Sequence, residues 1–487
     1  MMYRSTATRL LRHCRPSTAP RRPSAEPVTA FARSISSSPQ PRDSAPPHSL
    51  LSDQNAAEAG KDHEAVSRLE RLLAISDRLA QSRGKESIPL SMAGRGPYSR
   101  DGPDQNPVEY DLTGLEPLPK ERRMGDSYCQ MELRFSQDES LREQYVGGFS
   151  KVRMGALLEN LDWLAGASAY KHVLPDGADV TEGAKYGFYL VTASVERIDV
   201  RRPLYNPDGS VPDLRLAAHV AYATESSLEV FIRLSTIPEP AQEASTILIG
   251  RFTMACRSAR GGKHPVPKLI VEGPEEAEMF EMGRELREVK KKRAQKSLQK
   301  VPPTAEEAQM LHTLFLENAH LYDRKVAPPN NILFMADTRI NSANLMHPMF
   351  RNLHNKVFGG KLMSLAYETA YSTACLFARS TVTFVALDEL QFAQPVEVGS
   401  LLVLDSRVTF SPITGDHRSF HISVEAATVD LYSGQKKVTN TFHFTFSSDK
   451  KLDRHVLPRT YKQAMQWLDA QRRRRVGIEA RKTYESP

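Results

Sequence analysis

In Asn355-Lys-Val-Phe-Gly-Gly-Lys-Leu-Met-Ser-Leu-Ala-Tyr-Glu368, the most informative segment of this chain, a polar loop runs through two glycines into an apolar helix. Glycine has no Cβ, so Gly359 and Gly360 let another group approach the backbone closely. The N–H groups at a helix start have no intrahelical acceptor and can hold an oxygen that becomes negative during acyl transfer. Glu368 would lie about 12 Å further along the helix, at ~1.5 Å per residue. A substrate lying along the helix could meet both; the alternative is that the glycines allow close helix–sheet packing and Glu368 is a solvated surface acid.

Four segments with strand character follow this predicted helix. They are rich in Val, Phe and Thr, alternate in part between apolar and polar residues, and are separated by glycines and prolines. These segments are Thr381–Leu390, Leu401–Phe410, Ser419–Val429 and Lys437–Phe446. A long apolar helix followed by several strands predicts the α+β class, with a sheet wrapped around the helix.

The same pattern occurs earlier in the chain, where Gly155 opens an apolar helix that carries one acid, Asp162. The strand-like segments of this first copy are Tyr189–Ile198, Leu214–Ala223, Ser227–Ser235 and Thr246–Arg257. Gly155 and Gly360 are 205 residues apart, and we call this distance the helix offset. Pro203 and Pro395, which follow the first strand of each copy, are 192 residues apart, and we call this distance the strand offset. We place the extra loop of the first copy in Pro175–Gly187. A repeat this long indicates two related domains.

The second copy resembles the hot-dog acyl-coenzyme A thioesterases, and the pairing of two copies is similar to the mitochondrial members of that family. The matching stretches are His347-Pro348, Asn355–Gly360, Ala366–Ala370, Pro395–Leu401 and Asn440–Phe446. With the weaker first copy, the resemblance covers roughly residues 106 to 470. It implies two hot-dog domains, each an antiparallel sheet wrapped around a central helix, and hydrolysis of a thioester by water.

The resemblance also implies catalytic residues: Glu368 as base or nucleophile, Gly359 and Gly360 as oxyanion donors, and Asn355 to position substrate or water. One departure matters, because many related enzymes place the acid seven residues after the second glycine, and Glu368 is eight after Gly360. One residue turns a helix by about 100°. Asp162 is seven residues after its glycine. Both acids are therefore candidates, and two half-sites facing each other across the domain pair would reconcile them.

Five further residues are candidates for substrate binding. His354, Lys356 and Phe358 flank the diglycine, and the lysine charge would attract phosphates; ordering of the loop and solvation are the competing explanations. Phe384 and Val385 lie on the first strand after the helix and would line an apolar acyl tunnel. The histidines lack metal-ligand spacing, so we expect no metal site and no cofactor.

Charge in this chain is concentrated at the N-terminus. Residues 1–45 contain eight arginines and two acids, so the remainder carries about +1 of the formal net charge of +7. An arginine-rich, acid-poor segment predicts a mitochondrial transit peptide and a mitochondrial protein, with the matrix as the expected compartment; the alternative is a basic disordered tail. Because the remaining charge is small, the basic pI is no evidence for nucleic-acid binding.

The 487 residues divide into six predicted regions. They are the transit peptide (1–45), a polar extension (46–105), hot-dog domain 1 (106–260), a linker with helices (261–330), hot-dog domain 2 (331–450) and a basic helical tail (451–487). No apolar run reaches the ~18 residues that a membrane span needs. The chain lacks GxSxG, GxxxxGK[ST] and GxGxxG, which argues against the α/β-hydrolase type of thioesterase and against phosphate-loop or dinucleotide-binding proteins.

The expected function is hydrolysis of acyl-CoA to a free fatty acid and coenzyme A. One alternative is an acyl-CoA hydratase on the same fold, which needs an Asp and a His together near a helix start and leaves the thioester intact. Another is a non-catalytic acyl-CoA-binding scaffold or sensor. A single hot-dog domain leaves its site open along one edge, so we expect the two copies to pair within the chain and several chains to form a symmetric homo-oligomer.

Overall fold

A computed structural model describes residues 73–82, 115–147, 151–179, 183, 185–206, 209–237, 244–322, 328–352, 354–412 and 418–485. The predicted transit peptide, residues 1–45, lies outside these ranges. The α-helices are α1 (73–82), α2 (Glu139–Tyr145), α3 (Met154–Val173), α4 (Gly273–Gln295), α5 (Ala305–Glu317), α6 (Gly359–Ala378) and α7 (Tyr461–Glu485). Within the described ranges, none of them combines the length and apolar character that crossing a membrane requires.

The strands of the first copy are β1 (Glu121–Arg123), β2 (Cys129–Leu133), β3 (Phe188–Val195), β4 (Ile198–Val200), β5 (Leu214–Ala223), β6 (Ser227–Thr236), β7 (Thr246–Ser258) and β8 (Lys268–Ile270). Those of the second are β9 (Ile332–Phe334), β10 (Ile340–Leu345), β11 (Val382–Leu387), β12 (Leu390–Gln391), β13 (Leu401–Phe410), β14 (Ser419–Val429), β15 (Lys436–Ser448) and β16 (His455–Leu457). All eight predicted strand segments are confirmed, with ends that differ by a few residues at most.

The two copies share one antiparallel sheet of twelve strands. Its main path runs β10-β13-β14-β15-β11-β4-β7-β6-β5-β2, and β3 and β12 pair beside it. The copies meet where β11 pairs with β4, with Leu387 opposite Ile198, and where β12 pairs with β3. In each copy the sheet wraps around one central helix, α3 or α6. The expectation of two hot-dog folds is therefore confirmed, and the copies pair within the chain.

The internal repeat is visible in the backbone. An isolated bridge joins Val146 to Val152 in the first copy, and an equivalent one joins Arg351 to Val357, displaced along the chain by the helix offset. Strands β3 and β11 carry the same bulge, after Thr192 and after Phe384, displaced by the strand offset. Between helix and first strand, the first copy has residues 174–187 and the second has only 379–381. The extra loop therefore lies where the sequence predicts it.

Helices α3 and α6 cross in antiparallel fashion at their glycines. A Cβ on Gly360 would lie 2.9 Å from Cα of Glu159, and one on Gly155 would lie 2.9 Å from Oγ of Ser364. A side chain on Gly360 would meet backbone and push the helices apart. Close packing was one of the two explanations that the sequence allowed for these glycines. It applies to Gly360, but the element packed against it is helix α3 and not the sheet.

The C-terminal tail needs a correction. The sequence predicts a helix that ends in exposed charge, and α7 is that helix, but Trp467 and Leu468 are buried and Trp467 packs on Phe410 with ring centroids 5.0 Å apart. Two of its arginines form ion pairs: Arg472 donates to both carboxylate oxygens of Glu307 at 2.6 Å, and Arg473 donates to Oδ2 of Asp469 at 2.8 Å. The apolar residues in the first half of α7 therefore pack into the core, although charged residues follow them.

Candidate active site

The carboxylate of Asp162 is held between the two copies. It lies on α3 and is 1 % exposed. Thr192, on β3 of the same copy, donates its hydroxyl to Oδ1 at 2.8 Å. The backbone N–H of Gly360, in the first turn of α6, donates to Oδ2 at 2.6 Å. A buried carboxylate must be hydrogen-bonded to be tolerated, and here one donor comes from each copy.

The start of α6 fits this carboxylate for two reasons. The first N–H groups of a helix point away from its body and carry the positive end of the helix dipole, which favours a negative group. Gly359 keeps the approach open, because a Cβ there would lie 3.0 Å from Oδ2 of Asp162 and 3.2 Å from Cζ of Phe392. Gly360 therefore allows α3 and α6 to cross closely, and Gly359 leaves space beside the Asp162 carboxylate.

Burial raises the pKa of Asp162 to about 6, and the hydrogen bonds from Thr192 and Gly360 oppose that rise. Desolvation disfavours the charged carboxylate, whereas hydrogen bonds to it favour the charge. A carboxyl group with a pKa near neutrality is suited to take up and release a proton at physiological pH. The electrostatics of this acid therefore match those of a general base.

A cavity of about 480 Å³ opens onto Asp162 and has walls from both copies. Its polar wall contains Arg257, Asn352, His354, Lys356 and Gln394. Its apolar wall contains Gly166, Leu190, Val191, Met254, Val357, Phe358, Leu362, Phe392 and Val396. A largely apolar cavity with few convergent polar groups and one perturbed acid is the usual form of a small-molecule site. Neither copy alone would form it.

The loop before α6 presents Asn352 to this cavity. Its Oδ1 accepts from the backbone N–H of His354 at 2.9 Å and of Lys356 at 3.1 Å, which leaves Nδ2 without an acceptor among the described residues and able to bind a ligand. Asn355, which the sequence suggested, is exposed, has φ of 56° and forms the turn of the loop. Asparagine tolerates this left-handed conformation better than most residues. Sequence reasoning missed Asn352 because the two asparagines lie close together in one loop.

Glu368 lies elsewhere, in a second cavity of about 290 Å³. Its side chain is 49 % exposed and pairs with Arg153 at 2.9 Å. The repeat explains this position. The helix offset relates Asp162 to Tyr367, whose side chain is buried in the core. Glu368 is one residue further along α6, so its side chain points about 100° away from that of Tyr367. The one-residue departure noted in the sequence therefore has a structural consequence. The two candidate acids do not share a cavity.

The second cavity has aromatic residues at the positions of Asp162 and of its hydrogen-bond donor Thr192. The repeat places Tyr367 where the first copy has Asp162, and Phe384 where it has Thr192. The two rings meet edge to face with centroids 5.4 Å apart. A hydrogen-bonded carboxylate–hydroxyl pair in one copy is thus an aromatic pair in the other, and the cavity on Asp162 is the better candidate active site.

The five predicted substrate-binding residues do not share one cavity. His354, Lys356 and Phe358 line the cavity on Asp162. His354 packs on Tyr189 with centroids 4.4 Å apart, and burial lowers its pKa to about 4, so it is neutral at physiological pH. Phe384 lines the second cavity instead, and among the described lining residues Val385 belongs to neither.

Comparison with known proteins adds the family. The chain is 35% identical to human mitochondrial acyl-coenzyme A thioesterase 9 over 74% of its own length and 78% of that protein. The chain belongs to the acyl-coenzyme A thioesterase family. It is 33% identical to mouse mitochondrial acyl-coenzyme A thioesterase 10, over 72% of this chain and 78% of that one. No family model matches the sequence.

Solved structures similar to this thioesterase-family chain include an acyl-CoA hydrolase from Staphylococcus aureus in complex with butyryl coenzyme A, coenzyme A and coenzyme A disulfide. That protein is 22% identical, covers 32% of this chain and 97% of its own, and has a TM-score of 0.29. An oleoyl thioesterase (putative) from Lactobacillus plantarum is 10% identical, covers 69% of this chain and 98% of its own, and has a TM-score of 0.37.

Proposed function

We propose that this protein is a mitochondrial acyl-CoA thioesterase that converts acyl-CoA and water to a carboxylic acid and coenzyme A. The observation that carries the proposal is the buried Asp162 carboxylate, hydrogen-bonded to Thr192 and Gly360 at the wall of a cavity built by both copies. Family membership supports the same reaction, and the relatives named mitochondrial support the compartment, with the matrix as the proposed location.

Asp162 is the proposed general base. Its carboxylate takes a proton from a water molecule as the water oxygen attacks the thioester carbon. The C–S bond then breaks, its electron pair leaves with sulfur, and the proton passes to the coenzyme A thiolate. A base of this kind contributes typically about 10²–10⁴-fold to a rate. Its pKa of about 6 keeps it ionised at neutral pH, where it is needed as an acceptor.

The start of α6 is the proposed oxyanion site. Gly359 is the first residue of the helix, so its N–H has no intrahelical acceptor and can donate to the thioester oxygen as negative charge develops. Gly360 has a different role in this proposal, because its N–H already holds Asp162 in place. Asn352 replaces Asn355 as the residue that orients water or substrate.

The coenzyme A part of the bound substrate would extend out of the cavity along its polar wall. Lys356 and the exposed Arg257 lie there, and both charges would attract phosphates, although Lys356 also pairs with Glu397 at 2.7 Å. Glu368 has no proposed chemical role beyond its ion pair with Arg153. The domain division at 106–260 and 331–450 and assembly into a homo-oligomer are also part of this proposal.

The test is to incubate the purified protein with acyl-CoAs of several chain lengths and to measure free thiol and free carboxylic acid together. We expect both products in equal amounts. A hydratase would consume enoyl-CoA without releasing thiol, and a scaffold would bind acyl-CoA without turnover. Either of those results would overturn the proposal, and product analysis by mass spectrometry distinguishes them.

A further inference from the structure

The two cavities are built from equivalent positions, and the repeat lets them be compared residue by residue. With the helix offset applied to helix residues and the strand offset to strand residues, four wall positions of the first copy correspond to four of the second. The pairs are Asp162 with Tyr367, Gly166 with Tyr371, Thr192 with Phe384, and Met254 with Phe446. All four residues of the second copy are aromatic.

These four rings pack on one another, and Tyr367, Tyr371 and Phe384 line the second cavity. The centroids of Tyr367 and Tyr371 are 6.0 Å apart, and Tyr371 and Phe446 are 6.2 Å apart. Phe384 and Phe446 are 6.1 Å apart. The second cavity measures about 290 Å³ against about 480 Å³ for the first. The difference between the cavities therefore follows the size of the side chains at these positions.

Gly166 lies on the helix face that carries Asp162. Residues four apart on a helix share a face, and Gly166 is about 6 Å further along α3 at ~1.5 Å per residue. It lines the cavity together with Leu190 and Met254, which come from β3 and β7. Leu190 and Met254 are 5% and 2% exposed, so this end of the cavity lies between the helix and the sheet. The part of the cavity lined by these three residues is apolar.

We propose that Gly166 determines how long an acyl chain the enzyme accepts. The inference rests on the proposed function: with the thioester at Asp162 and coenzyme A along the polar wall, the acyl chain enters the apolar end. The bare surface of α3 at Gly166 leaves room for it there. In the second copy, Tyr371 closes the corresponding space. Gly166 is thus a specificity-determining residue for acyl-CoA chains that extend beyond the reacting carbon.

The experiment compares kcat/KM of the parent, Gly166→Ala and Gly166→Leu for acetyl-, butyryl-, octanoyl- and palmitoyl-CoA. For Gly166→Leu we expect acetyl-CoA hydrolysis within about threefold of the parent. Each methylene excluded from the cavity should cost about fourfold, since burying one contributes about 0.8 kcal/mol. Octanoyl-CoA should therefore lose at least about 100-fold. Gly166→Ala, which improves helix propensity, should show a smaller loss in the same direction.

Two further variants separate specificity from general damage. Met254→Phe installs the bulk found in the second copy and should also disfavour long chains. Ser372→Leu places a leucine side chain on α6 in the second cavity instead, and should leave the chain-length profile unchanged.

Three results would overturn the inference. An equal loss for all chain lengths in Gly166→Ala would indicate a structural role, and an unchanged profile in both Gly166 variants would place the chain elsewhere. If the parent released no thiol from any acyl-CoA, the proposed function would fail and this inference would fail with it. The first two results leave the proposed function intact, because the parent would still hydrolyse acyl-CoA.

Discussion

Replacing Thr192 by valine removes one hydrogen bond to the proposed base and keeps the shape of the side chain. The Thr192 hydroxyl donates to Oδ1 of Asp162 at 2.8 Å and lowers the pKa of that carboxyl against the effect of burial. Thr192→Val should therefore raise the pKa of Asp162 above its present value of about 6. Since the proposed mechanism needs the carboxylate, the acid limb of the pH–rate profile should move to higher pH.

The size of the shift follows from the strength of the lost bond. A hydrogen bond to a charged group contributes about 1.5–3 kcal/mol, and one pKa unit corresponds to about 1.4 kcal/mol. We therefore expect the acid limb to move up by about one to two units, from about 6 to between about 7 and 8. A shift of about 1.5 units lowers kcat/KM about eightfold at pH 6.5, and the parental value returns near pH 9.

The assay is kcat/KM for one acyl-CoA from pH 5 to pH 9, followed by loss of the thioester absorbance. Thr383→Val is the matched control, because Thr383 lines the second cavity and the change is chemically identical. In this control the acid limb of the pH–rate profile should stay at the same pH as in the parent. If Thr192→Val lost the same factor at every pH, or left the limb near pH 6, the pKa of Asp162 would not govern the reaction.

Two other predictions concern stability. Because the folded-state pKa of Asp162 is raised from 3.8 to about 6, the stability that this group contributes is present below pH 3.8 and is lost as pH rises through about 6. At pH 8 the free energy of unfolding of Asp162→Asn should therefore exceed that of the parent by up to about 3 kcal/mol, so that its urea midpoint is higher. The difference should vanish towards pH 4, and equal midpoints at pH 8 would refute this. Gly360→Ala places a Cβ 2.9 Å from Cα of Glu159 and should cost about 1–3 kcal/mol in a urea titration. Gly155→Ala, which mainly meets the movable Oγ of Ser364, should cost less, and the reverse order would contradict the helix-crossing argument.

Much of the fold was predictable because its signals are local. An apolar run opened by glycine predicts a helix, and runs of Val, Phe and Thr between glycines and prolines predict strands. The repeat was also readable, since the helix offset recurs in the backbone bridges and the strand offset in the bulges. The placement of the extra loop before β3 followed from the difference between these two offsets.

The candidate site was less predictable because it depends on contacts between distant residues. Thr192 is 30 residues from Asp162, and Gly360 is 198 residues from it. No local pattern marks either as its partner. The eight-residue spacing of Glu368 did signal that this acid points differently from Asp162, but which acid is buried is decided by packing. The aromatic residues of the second copy were visible in the sequence, and the repeat could have shown that Tyr367 occupies the position of Asp162.

The most direct test of the proposed mechanism compares kcat/KM for acyl-CoA hydrolysis in the parent, Asp162→Asn and Glu368→Gln at pH 8. Both changes replace a carboxylate by an amide of nearly equal size, one in the buried cavity between the copies and one at a half-exposed ion pair. We predict that Asp162→Asn loses about 10²–10⁴-fold and that Glu368→Gln stays within about threefold of the parent. A large loss in Glu368→Gln with activity kept in Asp162→Asn would contradict the assignment and move the chemistry to the second cavity.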